Sequence, residues 1–405
     1  YAAVPLCQHL LGYLDSTGHG AAGLEKALDA VLSGTGENSS LVCAVTAQGT
    51  LRTGETARLL QADSGALGVQ LTISRPVQRA VEAVAASTMT SGCILVLDTA
   101  TAAVRASVSV PCYDPEHLAD SLQAENSPFL NRALQSYAVG SVFKPVLAAT
   151  ALEAGLQPVF ECTGAVVVDG QIFRCAGGVP HGQVDLAAAL EKSCNGYFIR
   201  LGQQLGAESL LDAAKAFGFG QSLLLAEGFA AEAGQLPTPQ ELAQSGQLAN
   251  FSFGQGSLLA TPMQVAALFN TLAADGVYRA PYVLQATLDE ATGQPVETLS
   301  HPRGRRVISA QNAALLRAML VQVVQQGTAQ DAAGLSGGAG GKTGTAQTGQ
   351  FTPEGTERCN LWFAGFWPAE KPRYTIVVLQ DGAVHTAYSG AAIFAQVCTA
   401  LEAAG

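Results

Sequence analysis

Ser141 and Lys144 stand three residues apart in Tyr137-Ala138-Val139-Gly140-Ser141-Val142-Phe143-Lys144-Pro145, at the head of an apolar helical run. A serine becomes a nucleophile when a neighbouring base takes its proton. The pattern predicts a helix from Ser141 to Glu153, closed by Gly155. Ser141 then sits at the N-terminus, where free N–H groups and the helix dipole stabilise negative charge. Lys144 follows one turn on, on the same face. Pro145 costs little there, because first-turn amides lack helical partners. Lys144 can act as a base only when neutral. A lysine titrating near 10.4 must come down to about 7, a shift worth ~5 kcal/mol, through burial and a second nearby cation. Lys342 is the candidate cation.

Two further motifs follow in order. Ser193-Cys194-Asn195 comes after an apparently helical run, Val184 to Lys192. A loop there can present Ser193 and Asn195 on one side with Cys194 turned into the core. Ser193 would relay a proton to a leaving amine, and Asn195 would hold a substrate amide. Lys342-Thr343-Gly344-Thr345 emerges from a glycine-rich turn, Gly337 to Gly341. Glycine weakens a strand and often marks close approach of another backbone, so Gly344 suggests an edge along which an extended peptide could lie. Lys342 and the hydroxyls of Thr343 and Thr345 would then meet a carboxylate. Each motif alone fits an ordinary helix cap or strand; in this order they describe one acyl-transfer site. A phosphate loop does not fit, because the Walker spacing puts its first glycine on Ser336.

The 405 residues are 48% hydrophobic and 13% charged, with net charge −11. That is ample for a large core, and the acidic balance argues against nucleic acid. No zinc-type Cys/His spacing stands out, so neither metal nor cofactor is expected. No run of about 18 apolar residues occurs to span a membrane. The start at Tyr1, without Met and in mid-pattern, reads as a fragment. Most of the nine cysteines sit in apolar settings and read as core. Cys162 and Cys175 differ: they flank a hairpin-like stretch, Val166 to Phe173, turning at Asp169-Gly170, and could form a disulfide.

The elements that must position these groups divide at residue 66. Residues 1–66 read as a partial domain, with a helix carrying Leu24, Leu28, Val31 and Leu32 on one face and stopped by Gly34. Short strands follow at Leu41 to Val45 and Gly49 to Arg52. Residues 67–405 form the main domain. Pro76 to Ala86 is a helix buried through Val77, Ala80, Val81 and Val84. Cys93 to Leu97 and Val104 to Val110 form one hairpin. Asn360 to Trp367 and Arg373 to Leu379 form a second, and Gly390 to Ala403 a closing helix. The roughly 200 residues between are read as mostly helical. Strands at both ends with helices between predict an α+β fold built on one antiparallel sheet.

The three motifs resemble those of the transpeptidase region of class B, monofunctional penicillin-binding proteins, with Cys194 where an aspartate is common. His181-Gly182, Phe253-Gly254-Gln255-Gly256, Thr261-Pro262-Met263-Gln264 and Trp362 to Phe366 extend the likeness over nearly the whole chain. The resemblance implies the penicillin-recognising serine transferase fold, a five-stranded antiparallel sheet flanked by helices. Residues 1–66 would be the remnant of an N-terminal pedestal domain. It also implies peptidoglycan D,D-transpeptidation: Ser141 attacks the penultimate D-Ala carbonyl of a stem peptide, D-Ala leaves, and a second stem's amine resolves the acyl-enzyme. Backbone N–H groups of Ser141 and Thr345 would form the oxyanion hole, roughly 3 to 4 kcal/mol per donor. β-Lactam antibiotics would trap Ser141. A membrane anchor upstream, a glycosyltransferase partner and the extracytoplasmic face of the bacterial membrane are implied as well. Ser74 and Ala102 depart from the pattern, where Asp and a turn Gly are expected. The Cys162/Cys175 pair is similar to one in sporulation-type members, which suggests a sporulation role. A D,D-carboxypeptidase, a β-lactamase or a non-catalytic β-lactam sensor are the rival readings.

Overall fold

The computed structural model describes residues 6–404 except 35–39, 44, 47–49, 51, 53–57, 61–64, 116 and 302. Its frame is one sheet made of strands β1 (Gly92–Asp98), β2 (Val104–Val110), β3 (Gly340–Phe351), β4 (Glu357–Trp367) and β5 (Tyr374–Ala383). The spatial order is β3-β4-β5-β1-β2, and every pairing is antiparallel. Tyr374 pairs with Asp98 and Gln380 with Gly92, so distant segments meet in the centre of the sheet. Cys93 to Leu97 and Ile376 to Leu379 are fully buried. Strands covered on both faces read as unbroken apolar runs rather than as alternation.

The covering helices are α1 (Arg75–Thr88), α2 (Lys144–Glu153), α3 (Leu186–Glu191), α4 (Asn195–Leu205), α5 (Pro262–Ala273), α6 (Ala310–Gln325) and α7 (Gly390–Ala403). Phe363 of β4 meets Phe394 of α7 at 4.7 Å between ring centres. Thr375 Oγ1 donates to Asn270 Oδ1 of α5 at 3.0 Å. Phe363 pairs with Val378, an odd number of positions from Thr375, so α7 and α5 lie on opposite faces. All of α5 is buried, and a capping box between Thr261 and Gln264 starts it. Gln264 Nε2 also lies within 3.2 Å of three loop carbonyls, those of Gly218, Gln221 and Ala233. The Thr261-to-Gln264 motif is therefore a device for seating a buried helix.

Both hairpins, the helix over 76–86 and the closing helix stand where the sequence places them. Three readings change. The stretch between the hairpins is interrupted by short two-stranded ribbons, including Ala165–Val168 with Gln171–Arg174. The helix read through Leu24 to Leu32 is two pieces, Gly23–Ala27 and Asp29–Ser33. The Asp29 carboxylate accepts from Gly20 N at 2.8 Å and meets His19 Nδ1 at 2.9 Å, which turns the chain at Leu28. Ser40–Val42 pairs with Arg58–Leu60, and Thr46 N donates to Thr50 O at 2.8 Å; Gly49, Leu51 and the boundary at Asp63-Ser64 lie outside the described residues. Cys7, Leu10 and Leu24 join the main core, and Tyr113 Oη donates to the Gln8 carbonyl at 2.9 Å. Residues 7–27 thus lie against the main body. Ala102, in the position expected for glycine, keeps the left-handed backbone glycine would take, at φ 63°.

Candidate active site

The segment that carries Ser141 is pinned from three sides. Tyr137-Ala138 pairs with Leu259-Ala260, and Trp362 Nε1 of β4 donates to Ala138 O at 3.0 Å. Gly140 N donates to Gly254 O at 2.8 Å. Gly140 and Gly254 both have positive φ, 60° and 87°. A Cβ on Gly254 would stand 1.9 Å from Gly140 O, and one on Gly140 would stand 2.6 Å from Thr345 O. Only glycine allows backbones this close. Phe253-Gly254-Gln255-Gly256 is thereby the buttress of the Gly140-Ser141 turn. Gly140–Phe143 is a 3₁₀ turn, and α2 begins at Lys144, so the helix expected from Ser141 starts with a tighter turn. Ser141 is half-buried, and among the described residues its Oγ has no hydrogen-bond partner.

Lys144 is fully buried, and its Nζ donates to three oxygens: Ser193 O at 2.7 Å, Ser193 Oγ at 3.1 Å and Asn195 Oδ1 at 2.7 Å. The first and second motifs therefore share one ammonium-sized socket. Burial brings Lys144 down from 10.5 to about 7, against an upward pull from Cys194 and Cys175. The sequence reading assigned this shift partly to Lys342. Desolvation accomplishes it, and the repulsion between the lysines appears instead on Lys342, which burial and then Lys144 push well below its usual value.

Ser193 sits at φ 53°, a conformation that a non-glycine residue seldom adopts. Cys194 N reaches Ala189 O at 2.9 Å and Ser193 N reaches Leu190 O at 3.2 Å. This is a Schellman ending of α3 with serine in the position that glycine usually fills. The strain is of order 1 kcal/mol, and it turns the Ser193 hydroxyl onto Lys144. Cys194 is fully buried, as expected, and caps α4 by accepting from Tyr197 N at 3.4 Å. Asn195 Nδ2 donates to Arg174 O at 3.0 Å, so its amide also ties α4 to the hairpin.

The third motif lies on β3, an edge strand. Lys342 is fully buried and donates to Thr343 O at 3.1 Å. Gly344 is where β3 passes the Ser141 turn: a Cβ there would stand 3.0 Å from Val142 Cγ1 and 3.1 Å from Val139 O. Its place is structural contact with that turn. Thr343 is half-buried and Thr345 exposed. Sequence reasoning missed Thr328, whose hydroxyl lies 2.7 Å from Thr343 Oγ1. The signal was Gly327-Thr328 after α6; a Cβ on Gly327 would stand 2.6 Å from Glu191 O, at the end of α3. Thr328→Val is expected to weaken β-lactam acylation efficiency about 5–10-fold by losing one hydroxyl contact; titrating rate against β-lactam concentration checks it.

Residues 92–399 match the transpeptidase domain of penicillin-binding proteins. The chain belongs to that family. It is similar to the peptidoglycan D,D-transpeptidase PbpA of Mycolicibacterium smegmatis, 32% identical over 96% of this chain and 80% of that protein. It superposes on the D,D-transpeptidase domain of a peptidoglycan glycosyltransferase from Eggerthella lenta with a TM-score of 0.82, at 27% identity, covering all of this chain and 92% of that one. A penicillin-binding protein 3 from Mycobacterium tuberculosis, complexed with aztreonam, gives 0.81 at 28% identity, covering 100% and 89%. This transpeptidase has the class B type of fold that its motifs implied.

One grouping was not legible in the sequence. Cys162, Cys175, His181 and Cys194 converge, with their ligand atoms all within 4.8 Å of one another. Cys162 and Cys175 are separate thiols, 3.7 Å apart. The spacings are 13 residues between those two and 19 from Cys175 to Cys194, far from a compact zinc pattern. The hairpin Ala165–Arg174, with Asp169 at φ 47° and Gly170 at φ 81° in its turn, folds them together.

Proposed function

We propose that Ser141 is the nucleophile of a peptidoglycan D,D-transpeptidase, with the neutral form of Lys144 as its base. One observation carries this: a fully buried lysine, titrating near 7, is held by Ser193 and Asn195 one turn from Ser141. A general base works best when its pKa lies near the working pH. Ser141 attacks the penultimate D-Ala carbonyl, and its proton passes to Lys144 Nζ. Ser193 Oγ, 3.1 Å from Nζ, relays that proton to the departing D-Ala nitrogen. The N–H groups of Ser141 and Thr345 receive the oxyanion. The Thr345 carbonyl faces the nucleophile turn. A strand residue points its N–H to the side of its carbonyl, which supports this role for Thr345. Lys342, Thr343 and Thr345 take the terminal carboxylate, Asn195 takes a substrate amide, and the free edge of β3 aligns the stem peptide. β-Lactams acylate Ser141 by the same route.

In this reading residues 1–66 are the end of a pedestal domain and residues 67–405 the catalytic domain. The protein works at the extracytoplasmic face of the membrane, anchored by a segment upstream and beside a glycosyltransferase. No described helix is long and apolar enough to cross a membrane.

The test is intact-protein mass after incubation with benzylpenicillin, followed over hours beside Ser141→Ala. The expected result is one stable adduct, absent in the variant. An adduct that disappears within seconds while penicillin is hydrolysed would make the protein a β-lactamase. An adduct that persists in Ser141→Ala would remove the nucleophile assignment.

A further inference from the structure

Strand β5 breaks register close to the Ser141 segment. Cys359 pairs with Ala383 and Leu361 with Gln380, so Asp381 and Gly382 of β5 stand opposite the single residue Asn360 of β4. This is a β-bulge, a device that re-aims a side chain and recurs next to active sites. Gly382 takes φ 58° in it. The side chain so aimed is Asp381, whose Oδ2 accepts from Arg132 Nε at 3.0 Å. The two side chains are 24% and 4% exposed. The other guanidinium nitrogens donate to loop carbonyls: Nη1 to Ser127 O at 3.2 Å and Nη2 to Asn126 O at 2.9 Å. Ser127 is itself at φ 50°. All three nitrogens of Arg132 are engaged, which the rigid fork of an arginine permits and a lysine does not.

The contacts continue from the bulge to the chain that carries Ser141. Asp381 N donates to Ser91 O at 3.1 Å, which ties the bulge to the residue before β1. Gly382 N donates to Asn360 Oδ1 at 3.2 Å, and Asn360 Nδ2 donates to Ala138 O at 3.5 Å. Ala138 O also accepts from Trp362 Nε1 at 3.0 Å, and Tyr137 stands edge-on to Trp362 at 6.4 Å between ring centres. Arg132 N in turn donates to Ser109 Oγ of β2 at 3.1 Å. A ring therefore runs from Arg132 through Asp381, Gly382 and Asn360 to Ala138, and residues 133–137 close it. Ala138 stands three residues before Ser141. A buried ion pair is a weak source of stability, because desolvation offsets its attraction. What this one can supply is a fixed path for the chain that enters the Gly140-Ser141 turn.

We propose that Arg132 and Asp381 are positioning residues for Ser141, acting through the bulge of β5, Asn360 and the Ala138 carbonyl. The inference rests on Ser141 as the nucleophile. Neither residue touches substrate. With the pair in place, the loop from Asn126 to Arg132 and the strand Tyr137-Ala138 have one height above the sheet, and Gly140 arrives at Gly254 in register. Without it the turn shifts as a unit. The edge of β3, which would align the ligand, is untouched by that shift, so attack is slowed while binding is not.

The test is stopped-flow acylation of the full chain over a range of benzylpenicillin concentrations, which separates the dissociation constant of the first complex from the rate constant of the acylation step. Arg132→Lys keeps the charge and loses the fork. Asp381→Leu removes the acceptor at similar volume, and Asp381→Asn keeps an acceptor for Nε. Arg132→Lys and Asp381→Leu should slow the acylation step about 10–100-fold, as a displaced nucleophile would. Their dissociation constants should stay unchanged, and the inflection of Lys144 near 7 should remain. Asp381→Asn should recover most of the rate lost in Asp381→Leu. The double variant Arg132→Lys/Asp381→Leu should be no slower than the slower single one, as for two ends of one contact. Each variant should still reach one adduct per chain on long incubation. A further readout is independent of acyl transfer: with Trp367→Phe, Trp362 is the one tryptophan left, and its emission should shift in Asp381→Leu and not in Asp381→Asn. The proposal is overturned if Arg132→Lys and Asp381→Leu acylate at the wild-type rate, or if the loss falls on the dissociation constant. It is equally overturned if fewer chains react while those that do keep the wild-type rate, which is a folding role alone. Should Asp381→Leu fail to fold, Arg132→Lys and Asp381→Asn decide. An adduct that persists in Ser141→Ala removes the nucleophile assignment, whereas unchanged rates beside an adduct lost in Ser141→Ala remove the positioning pair alone.

Discussion

Lys144→Ala is expected to slow acylation by benzylpenicillin about 10²–10⁴-fold, the usual worth of a positioned base. The variant removes a group that donates to Ser193 O, Ser193 Oγ and Asn195 Oδ1. The Ser193 carbonyl and the Asn195 amide oxygen then lose their shared donor, so the loop that carries the Ser193 hydroxyl loosens as the base is lost. Wild-type acylation should also carry the titration of this lysine. Lys144 is protonated below about 7 and neutral above. The second-order rate constant should therefore climb about tenfold per pH unit up to that point and then level off. Stopped-flow acylation between pH 5 and 9 reads the profile. A rise delayed to the range of an ordinary lysine, near pH 10, would contradict burial as the cause. The same inflection surviving in Lys144→Ala would assign it to another group.

Gly254→Ala should lower acylation at least 10²-fold, although residue 254 touches no substrate in the proposed reaction. The new methyl would stand 1.9 Å from the carbonyl oxygen of Gly140, which is backbone and cannot swing aside. Gly140 must retreat, and Ser141 moves with it. A displacement of about 1 Å at a nucleophile can cost 10²-fold. Gly228→Ala is the control. Gly228 has φ 73°, so the backbone strain is comparable, yet nothing lies within 4 Å of its added Cβ. That variant should lose about 1 kcal/mol of stability and keep its acylation rate. Melting curves and acylation rates on both variants separate strain from displacement. Equal acylation by the two would mean that the Gly140–Gly254 contact does not set the nucleophile.

The site residues were legible because their chemistry is local. Ser141 and Lys144 share one helical turn, Ser193 and Asn195 flank one buried residue, and Lys342 to Thr345 form one strand segment. Short-range spacing reports such groupings through the periods of helix and strand. The sheet was legible for the same reason: Cys93 to Leu97 and Ile376 to Leu379 are apolar runs too short for helices. The hairpin turn at Asp169-Gly170 also follows from local turn chemistry.

What the sequence withheld depends on which distant backbones meet. Nothing near Gly254 shows that it supports Gly140, since that contact spans more than a hundred residues and involves no side chain. Thr328 reaches Thr343 only because α6 ends beside β3. The charge state of Lys144 could be required by the chemistry, but its cause, burial rather than a neighbouring cation, is a property of the surrounding volume. Arg132 pairs with Asp381 at 3.0 Å across 249 residues, and a lone arginine in a polar loop gives no sign of it. The cysteine cluster is the clearest case. Its four members read as one core thiol, a hairpin pair and a motif histidine until the hairpin folds them onto the start of α4. Sequence alone determined which candidate groups lie within one turn or strand of each other and which segments are strands or helices, because both depend on covalent identity and near neighbours. Tertiary structure decided which glycines bring backbones together, which lysines are buried and which thiols meet, because these depend on excluded volume and desolvation, which no short window of sequence contains.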